Sequence, residues 1–138
     1  VDTKEKTLHL LEAYYGHFNA GRTDDMLALM AEDVVHDINQ GGCEVGVEAF
    51  RAFFERMNRC YQERLTDMQL FVSDDGTRAA AEFVVHGSYL STDDGLPEAK
   101  GQTYQLPAGA FFALQDQRIK RVTMYYNLEQ WLAQVVEE

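Results

Sequence analysis

Apolar residues recur at helical spacing early in the chain, alternate through its middle, and return to helical spacing at its end. Leu8, Leu11, Tyr15 and Phe18 form one stripe, which predicts a helix over about residues 3–18. Leu10, Tyr14 and His17 flank that stripe, and His9 falls on the solvent side. Asp2 is placed to cap this helix with Glu5 as its capping-box partner, and Asn19-Ala20-Gly21 ends it through a left-handed glycine exit. Thr23 predicts the cap of a short second helix, with Asp24 and Asp25 in its positive first turn. Leu27, Met30 and Ala31 are read as its apolar side. A third helix is predicted after Gly46, with Phe50, Phe53, Phe54 and Met57 at helical spacing as core aromatics and a core methionine.

Residues 34–40 alternate as a strand does. Val35, Asp37 and Asn39 share one face, and Val34, His36, Ile38 and Gln40 share the other, before a Gly41-Gly42 turn. Four longer strands are predicted over residues 62–72, 77–89, 102–114 and 118–126. Asp75-Gly76 marks the first hairpin, STDDGLP a crossing loop, and Asp116-Gln117 the second tight turn. Asn127 caps a closing helix with Gln130 at the capping-box position, and Leu128, Trp131, Leu132 and Val135 make its buried stripe.

Helices followed by antiparallel strands read as a single α+β domain over residues 1–138. Three N-terminal helices would pack on a strongly curved antiparallel or mixed sheet, with a short helix at the C-terminus. The strands carry Ala79, Ala80, Ala81, Gly87, Ala108, Gly109 and Ala110, whose small side chains leave room for an interior pocket or for close packing against a helix. Two strands are apolar on both faces, with Val84 opposing Phe83 and Val85, and Phe111 opposing Phe112. Helices on one face of a sheet cannot cover both, so a homodimer is expected.

Composition narrows the partners. The chain has 12 Lys and Arg against 23 Asp and Glu, a formal charge of −11. That balance disfavours nucleic acid and anionic membrane surfaces. Arg51, Arg56, Arg59 and Arg64, interleaved with Glu48, Glu55 and Glu63, read as a solvated face with local pairs. Cys43 and Cys60 are too few for a thiolate metal site and read as free thiols. No metal is expected: metal-binding spacings are missing, Asp93-Asp94-Gly95 is too short for a calcium loop, and scattered His36, His86 and Glu82 would make a poor site. Without a glycine-rich strand-to-helix loop, no nucleotide cofactor is expected either. The start lacks a basic-then-apolar leader and no long apolar run occurs, which points to a cytoplasmic protein.

The stretches AYYGHFNAGRTDDMLALMAEDVVHDINQGG, MNRCYQERL, AAEFVVHGSY, GQTYQLPAGAFF and YYNLEQWLAQV resemble the nuclear-transport-factor-2-like (NTF2-like) superfamily. Within it, the chain is most similar to the ketosteroid-isomerase-related and SnoaL-like polyketide cyclase group. The resemblance covers nearly the whole chain and implies a cone-shaped fold. The superfamily also holds dehydratases, epoxide hydrolases and non-catalytic binders, so fold alone does not select an activity. In ketosteroid isomerases an Asp base works with a Tyr and a protonated Asp that hold the oxyanion. The resemblance implies Tyr14 for the Tyr and Asp37 for the base. It places Gly109 near the second acid's position, so that donor is missing.

The resulting expectation is cofactor-independent proton transfer on a small hydrophobic carbonyl compound, of isomerase, cyclase or dehydratase type. The alternative is a non-catalytic binding or structural dimer. Asp37 would be the base, or else a strand-end cap of the following turn. Tyr14 would hydrogen-bond the carbonyl oxygen, or else simply pack. His86, Glu82 or Gln102 would supply the missing donor; His86 and Glu82 read equally as a polar stripe on the outer sheet face. His17, Asn39, Tyr104 and Tyr126 complete the candidate lining, since Tyr suits an apolar ligand bearing one or two oxygens.

Overall fold

A computed structural model describes residues 3–38 and 41–136. The elements in chain order are α1 (Thr3–Ala20), α2 (Thr23–Leu27), β1 (Met30–Ile38), β2 (Cys43–Val45), α3 (Val47–Cys60), β3 (Tyr61–Val72), β4 (Arg78–Tyr89), β5 (Thr103–Gln115), β6 (Arg118–Tyr126) and α4 (Leu128–Val135). The six strands form one curved sheet in the order β2-β1-β6-β5-β4-β3. Only the β1–β6 pairing is parallel among the described strands. This is the α+β cone that the patterning and the resemblance imply.

Three details differ from the sequence reading. Met30 and Ala31 belong to β1, not to the second helix. Met30 pairs with Ile119 of β6, and the Ile119 amide donates to the Leu29 carbonyl. A five-residue helix has too few internal bonds to resist that long-range ladder. Arg22, not Thr23, occupies the cap position of α2; Thr23 instead accepts a hydrogen bond from Asn58 Nδ2 at 3.1 Å. The short strand β2 follows the Gly41-Gly42 turn and pairs antiparallel with β1. Three exposed residues carry too little alternation to be read as a strand. The Asp2 cap of α1 lies outside the described residues.

A bulge in β3 shapes the interior. Thr66 pairs with Val84 and Gln69 with Glu82, so β3 spends one more residue than β4 over that step. Asp67 absorbs it at φ 56°, a left-handed conformation that Asp tolerates. The insertion reverses the facing of the strand. Tyr61 and Leu65 are buried before it, whereas Met68, Leu70 and Val72 pack against the core after it. The end of α1 is fixed over the same strand: Asn19 Nδ2 donates to the Leu65 carbonyl at 3.0 Å, and the Leu65 amide donates back to Asn19 Oδ1 at 2.9 Å. At the other end of the chain, Asn127 Oδ1 accepts from the Gln130 amide at 3.0 Å and starts α4 where the sequence places it. Trp131 of α4 then meets Tyr61, Tyr89 and Tyr104 edge-on, with ring centroids 6.2, 5.1 and 5.9 Å apart.

Candidate functional site

The helices do not fill the cone. A cavity of about 780 Å³ lies between the concave sheet face and α1, α3 and α4, within the usual range for small-molecule sites. Its walls are largely apolar: Phe53, Phe83, Val85, Leu106, Val122 and Met124.

One end of the cavity is polar. Glu63 faces it from β3, and Tyr104 Oη donates to Glu63 Oε2 at 2.5 Å. Burial holds the Glu63 carboxyl above the usual carboxylate range, and the Tyr104 bond only partly opposes this. Gly87 makes the pair possible. A Cβ there would lie 2.2 Å from the Tyr104 ring, so only glycine lets the ring cross β4 toward Glu63. Tyr126 also lines this end; burial raises its hydroxyl pKa, and the charges of Glu63 and Asp93 add to that.

A second buried pair closes the same end. Tyr61 Oη donates to Asp93 Oδ2 at 2.8 Å, and Arg56 Nε stands 3.5 Å from Asp93 Oδ1. Asp93 belongs to the connection between β4 and β5. Its amide donates to Tyr89 Oη at 3.0 Å, and that hydroxyl donates to the Pro97 carbonyl at 2.6 Å. A segment without regular structure is thereby held over the cavity by its own buried polar bonds.

Tyr14 lines the cavity from α1, edge-on to Tyr15 and Phe112. Its hydroxyl has no hydrogen-bond partner among the described residues, and burial raises its pKa. His36 lines the cavity from β1 and is 5% exposed. Its ring stacks on Phe50 at 4.2 Å and meets Phe53 edge-on at 4.5 Å. Burial lowers its pKa, so the imidazole is neutral near pH 7.

The other sequence candidates need correction. Asp37 borders the cavity, but its carboxylate is tied to the outer sheet face. Its register partner Thr123 donates to it at 2.9 Å, Arg121 Nε donates at 2.6 Å, and Arg121 forms an ion pair with it. Hydrogen bonds from Arg121, Thr123 and Cys43 outweigh desolvation and hold the carboxyl below its usual range, the opposite of a tuned base. The alternation had separated Asp37 from His36 correctly; the inward face is the one carrying His36. His86 lies on the outer face, opposite Gln105, with Nε2 2.8 Å from Thr66 Oγ1. Glu82 is exposed on that same outer face, opposite Gly109. Gln102 is structural: its amide donates to the Glu98 and Val135 carbonyls, both at 2.9 Å. His17 Nδ1 accepts from Arg22 Nε at 3.1 Å, away from the cavity. Asn39 lies outside the described residues. Of the candidates, the structure brings Tyr14, Tyr104 and Tyr126 together around the cavity.

Glu63, Tyr61, Arg56 and His36 were missed as site residues. Glu63 and Arg56 sat in an alternating run of charges that spans the end of α3 and the start of β3. A helical reading continued through residue 63 makes them solvent-facing; the change of period at Tyr61 turns Glu63 inward. That change of period, together with Gly87, was the available signal.

The SnoaL-like domain profile matches residues 11–122. A crystal structure from Xanthomonas campestris pv. campestris, carrying a provisional polyketide cyclase assignment, is 53% identical; it covers 98% of this chain and 100% of its own, at a TM-score of 0.94. A Pseudomonas putida structure with the same provisional assignment is 55% identical, covers 99% of both chains, and has a TM-score of 0.92. An epoxide hydrolase of the LEH-like kind from M. tuberculosis shares the fold at 13% identity and a TM-score of 0.73, covering 98% of this chain and 88% of its own. None of the curated proteins matches the chain.

Proposed function

We propose that this chain, which belongs to the SnoaL-like domain family, carries out cofactor-independent proton transfer on a small hydrophobic carbonyl compound, of isomerase or cyclase type, with Glu63 as its acid–base group. The observation that carries this reading is the Glu63 carboxyl. It opens on an apolar cavity, its pKa is raised by burial, and Tyr104 holds one of its oxygens. A carboxylate tuned upward is a stronger base near neutral pH than an ordinary one, and once protonated it is a usable acid.

The steps follow from charge accounting. Ionised Glu63 takes a proton from the carbon beside the substrate carbonyl. The electron pair moves onto the carbonyl oxygen, where an apolar wall penalises it unless a donor is in place. Tyr14 supplies that donor, because it lines the cavity and its hydroxyl is bonded to none of the described residues. Protonated Glu63 then returns the proton to another carbon of the conjugated system; or the enolate carbon attacks a second carbonyl of the same molecule, whose C=O π bond opens to an alkoxide that takes the Glu63 proton. Tyr104 keeps the carboxylate aimed through both steps. The provisional polyketide cyclase assignment of the two relatives supports the second outcome.

The test begins with a panel of small ketones and enones, screened with mass detection. Glu63→Gln should lower kcat at least a hundredfold on the best substrate while leaving its binding intact. Tyr14→Phe should lose at least tenfold, since one oxyanion donor contributes roughly 3 kcal/mol. Unchanged turnover in Glu63→Gln rejects the assignment. Binding across the panel without any turnover would favour a binding module instead.

A further inference from the structure

One wall of the cavity is built differently from the rest. Apart from Gly21, the lining residues belong to helices or strands, except Leu90, Asp93, Asp94 and Leu96 of the β4–β5 connection. Helical and ladder bonds hold the other walls in place; this one lacks them. It has bonds of its own instead. The Leu96 amide donates to the Asp93 carbonyl at 3.1 Å, the Ala99 amide to Thr92 Oγ1 at 2.9 Å, and the Asp94 amide to Asp93 Oδ1 at 3.0 Å. Its two ends meet. The Tyr89 amide donates to the Gln102 carbonyl at 2.8 Å, and the Gly101 amide to the Tyr89 carbonyl at 2.9 Å. Gln102 ties that base to α4 through the Val135 carbonyl. A loop of this length, closed at its base and bonded within itself, is a compact unit.

Away from the base, a few side-chain bonds hold this unit down. Tyr61 of β3 and Arg56 of α3 meet the Asp93 carboxylate. The Tyr89 hydroxyl accepts from the Asp93 amide and donates to the Pro97 carbonyl. Leu96 packs against the core. Releasing these contacts frees the segment without breaking any strand pairing. Gly95 and Gly101 stand at φ 76° and 78°, and a Cβ at either would meet no atom within 4 Å. Both can change their backbone angles at little cost.

We propose that residues 91–100 are a lid that swings as a unit about the Tyr89–Gln102 base to admit and release the ligand, with Asp93 and the Tyr89 hydroxyl as its latches. Opening withdraws Asp93 from Tyr61 and Arg56. The polar end of the cavity is therefore complete only while the lid is down and water is kept out.

Tyr89→Phe isolates the latch. Tyr89 is fully buried and does not line the cavity, and phenylalanine keeps its stacking on Tyr61 and Trp131. The lost hydroxyl leaves the Asp93 amide and the Pro97 carbonyl unpaired while the lid is closed, and opening hydrates both. Closure alone is penalised, so the open fraction should rise about tenfold, the scale of one lost buried hydrogen bond.

The experiment counts openings with a thiol placed inside the cavity. Ala110 lines it from β5 and is buried, and Val34 is buried away from it. Each is changed to cysteine in a Cys43→Ser, Cys60→Ala background, and reaction with methyl methanethiosulfonate is followed by mass. Without a latch variant, the thiol of Ala110→Cys should react faster than that of Val34→Cys, which waits for unfolding. Adding Tyr89→Phe should accelerate the Ala110→Cys reaction about tenfold. Asp93→Asn should accelerate it as well, because it removes the charge that faces Arg56. A thiol at 110 that reacts no faster than one at 34 overturns the inference, since the cavity then opens only on unfolding. A rate unchanged by both latch variants overturns it too, since entry then bypasses the segment. Neither readout needs a ligand or turnover, so both stand apart from the Glu63 assignment, whose own test is the turnover of Glu63→Gln.

Discussion

Glu63 leaves a signature in stability as well as in turnover. Its pKa in the folded chain lies above its unfolded value because burial disfavours the charge. Below about pH 4 both states hold the proton, and the group is neutral in its effect on folding. As pH rises past that point the unfolded chain releases its proton first, so stability falls until the folded carboxyl ionises too, and the penalty then stays constant. Glu63→Gln should therefore be more stable than wild type at pH 7 and equal to it at low pH, as read by urea midpoints across that range. Asp75 works in the opposite direction. Its carboxylate accepts from the Thr77 amide, the Thr77 hydroxyl and the Ser73 hydroxyl, which hold its pKa down at about 2. The contribution of that hairpin is present above about pH 4 and is lost as pH falls toward about 2; Asp75→Asn should remove this acid dependence by lowering stability at neutral pH, with little change at about pH 2. Gly87→Ala is the third residue-scale case. A methyl group placed 2.2 Å from the Tyr104 ring displaces that ring from Glu63. We expect a loss of about 1–3 kcal/mol in chemical denaturation together with reduced turnover.

Among the elements, α4 couples a simple capping rule to the site. Asn127 starts the helix, and the helix carries Trp131 onto three tyrosines at the polar end of the cavity. Asn127→Ala should cost about 1 kcal/mol. Because Trp131 packs on Tyr104, the same variant should weaken ketone binding, whereas Asn127→Ser should restore both readouts. The β3 bulge is the other element that decides chemistry. The reversal at Asp67 lets Glu63 and Leu65 face inward on one side of it and Leu70 on the other. A straight strand would send one of those sets to solvent.

At the scale of the whole molecule, the convex face of the sheet remains apolar. Phe71, Phe111 and Tyr125 are 58%, 53% and 47% exposed and share this face with Ala80 and Thr123 by register. The described helices pack on the other side, where they line the cavity. We propose that a second copy covers this face. Light scattering should return twice the 15.7 kDa chain mass, and Phe111→Asp should shift the population toward single chains. A wild-type protein that scatters as one chain at micromolar concentration would contradict it.

What the chain determined by itself is the set of elements, β2 and the start of β1 excepted, and the architecture they form. Local signals carry that much: the stripe of α1, the Asp75-Gly76 turn, the Asn127 cap and the alternation of β4 and β5 each depend on residues within a few positions of one another. The dyad of faces in β1 was legible too, with His36 opposite Asp37. Which of those faces looks inward was decided only by tertiary structure, through the pairing of His36 with buried Val122 and of Asp37 with Thr123. The same holds for Glu63, read locally as one more solvated charge in a run that crosses from helix to strand. Its role depends on a tyrosine from β5, a glycine from β4 and a bulge downstream in its own strand. An alternating pattern fixes two faces but carries no label for the concave one. The label comes from the curvature of the assembled sheet and from the helices that settle on one side of it.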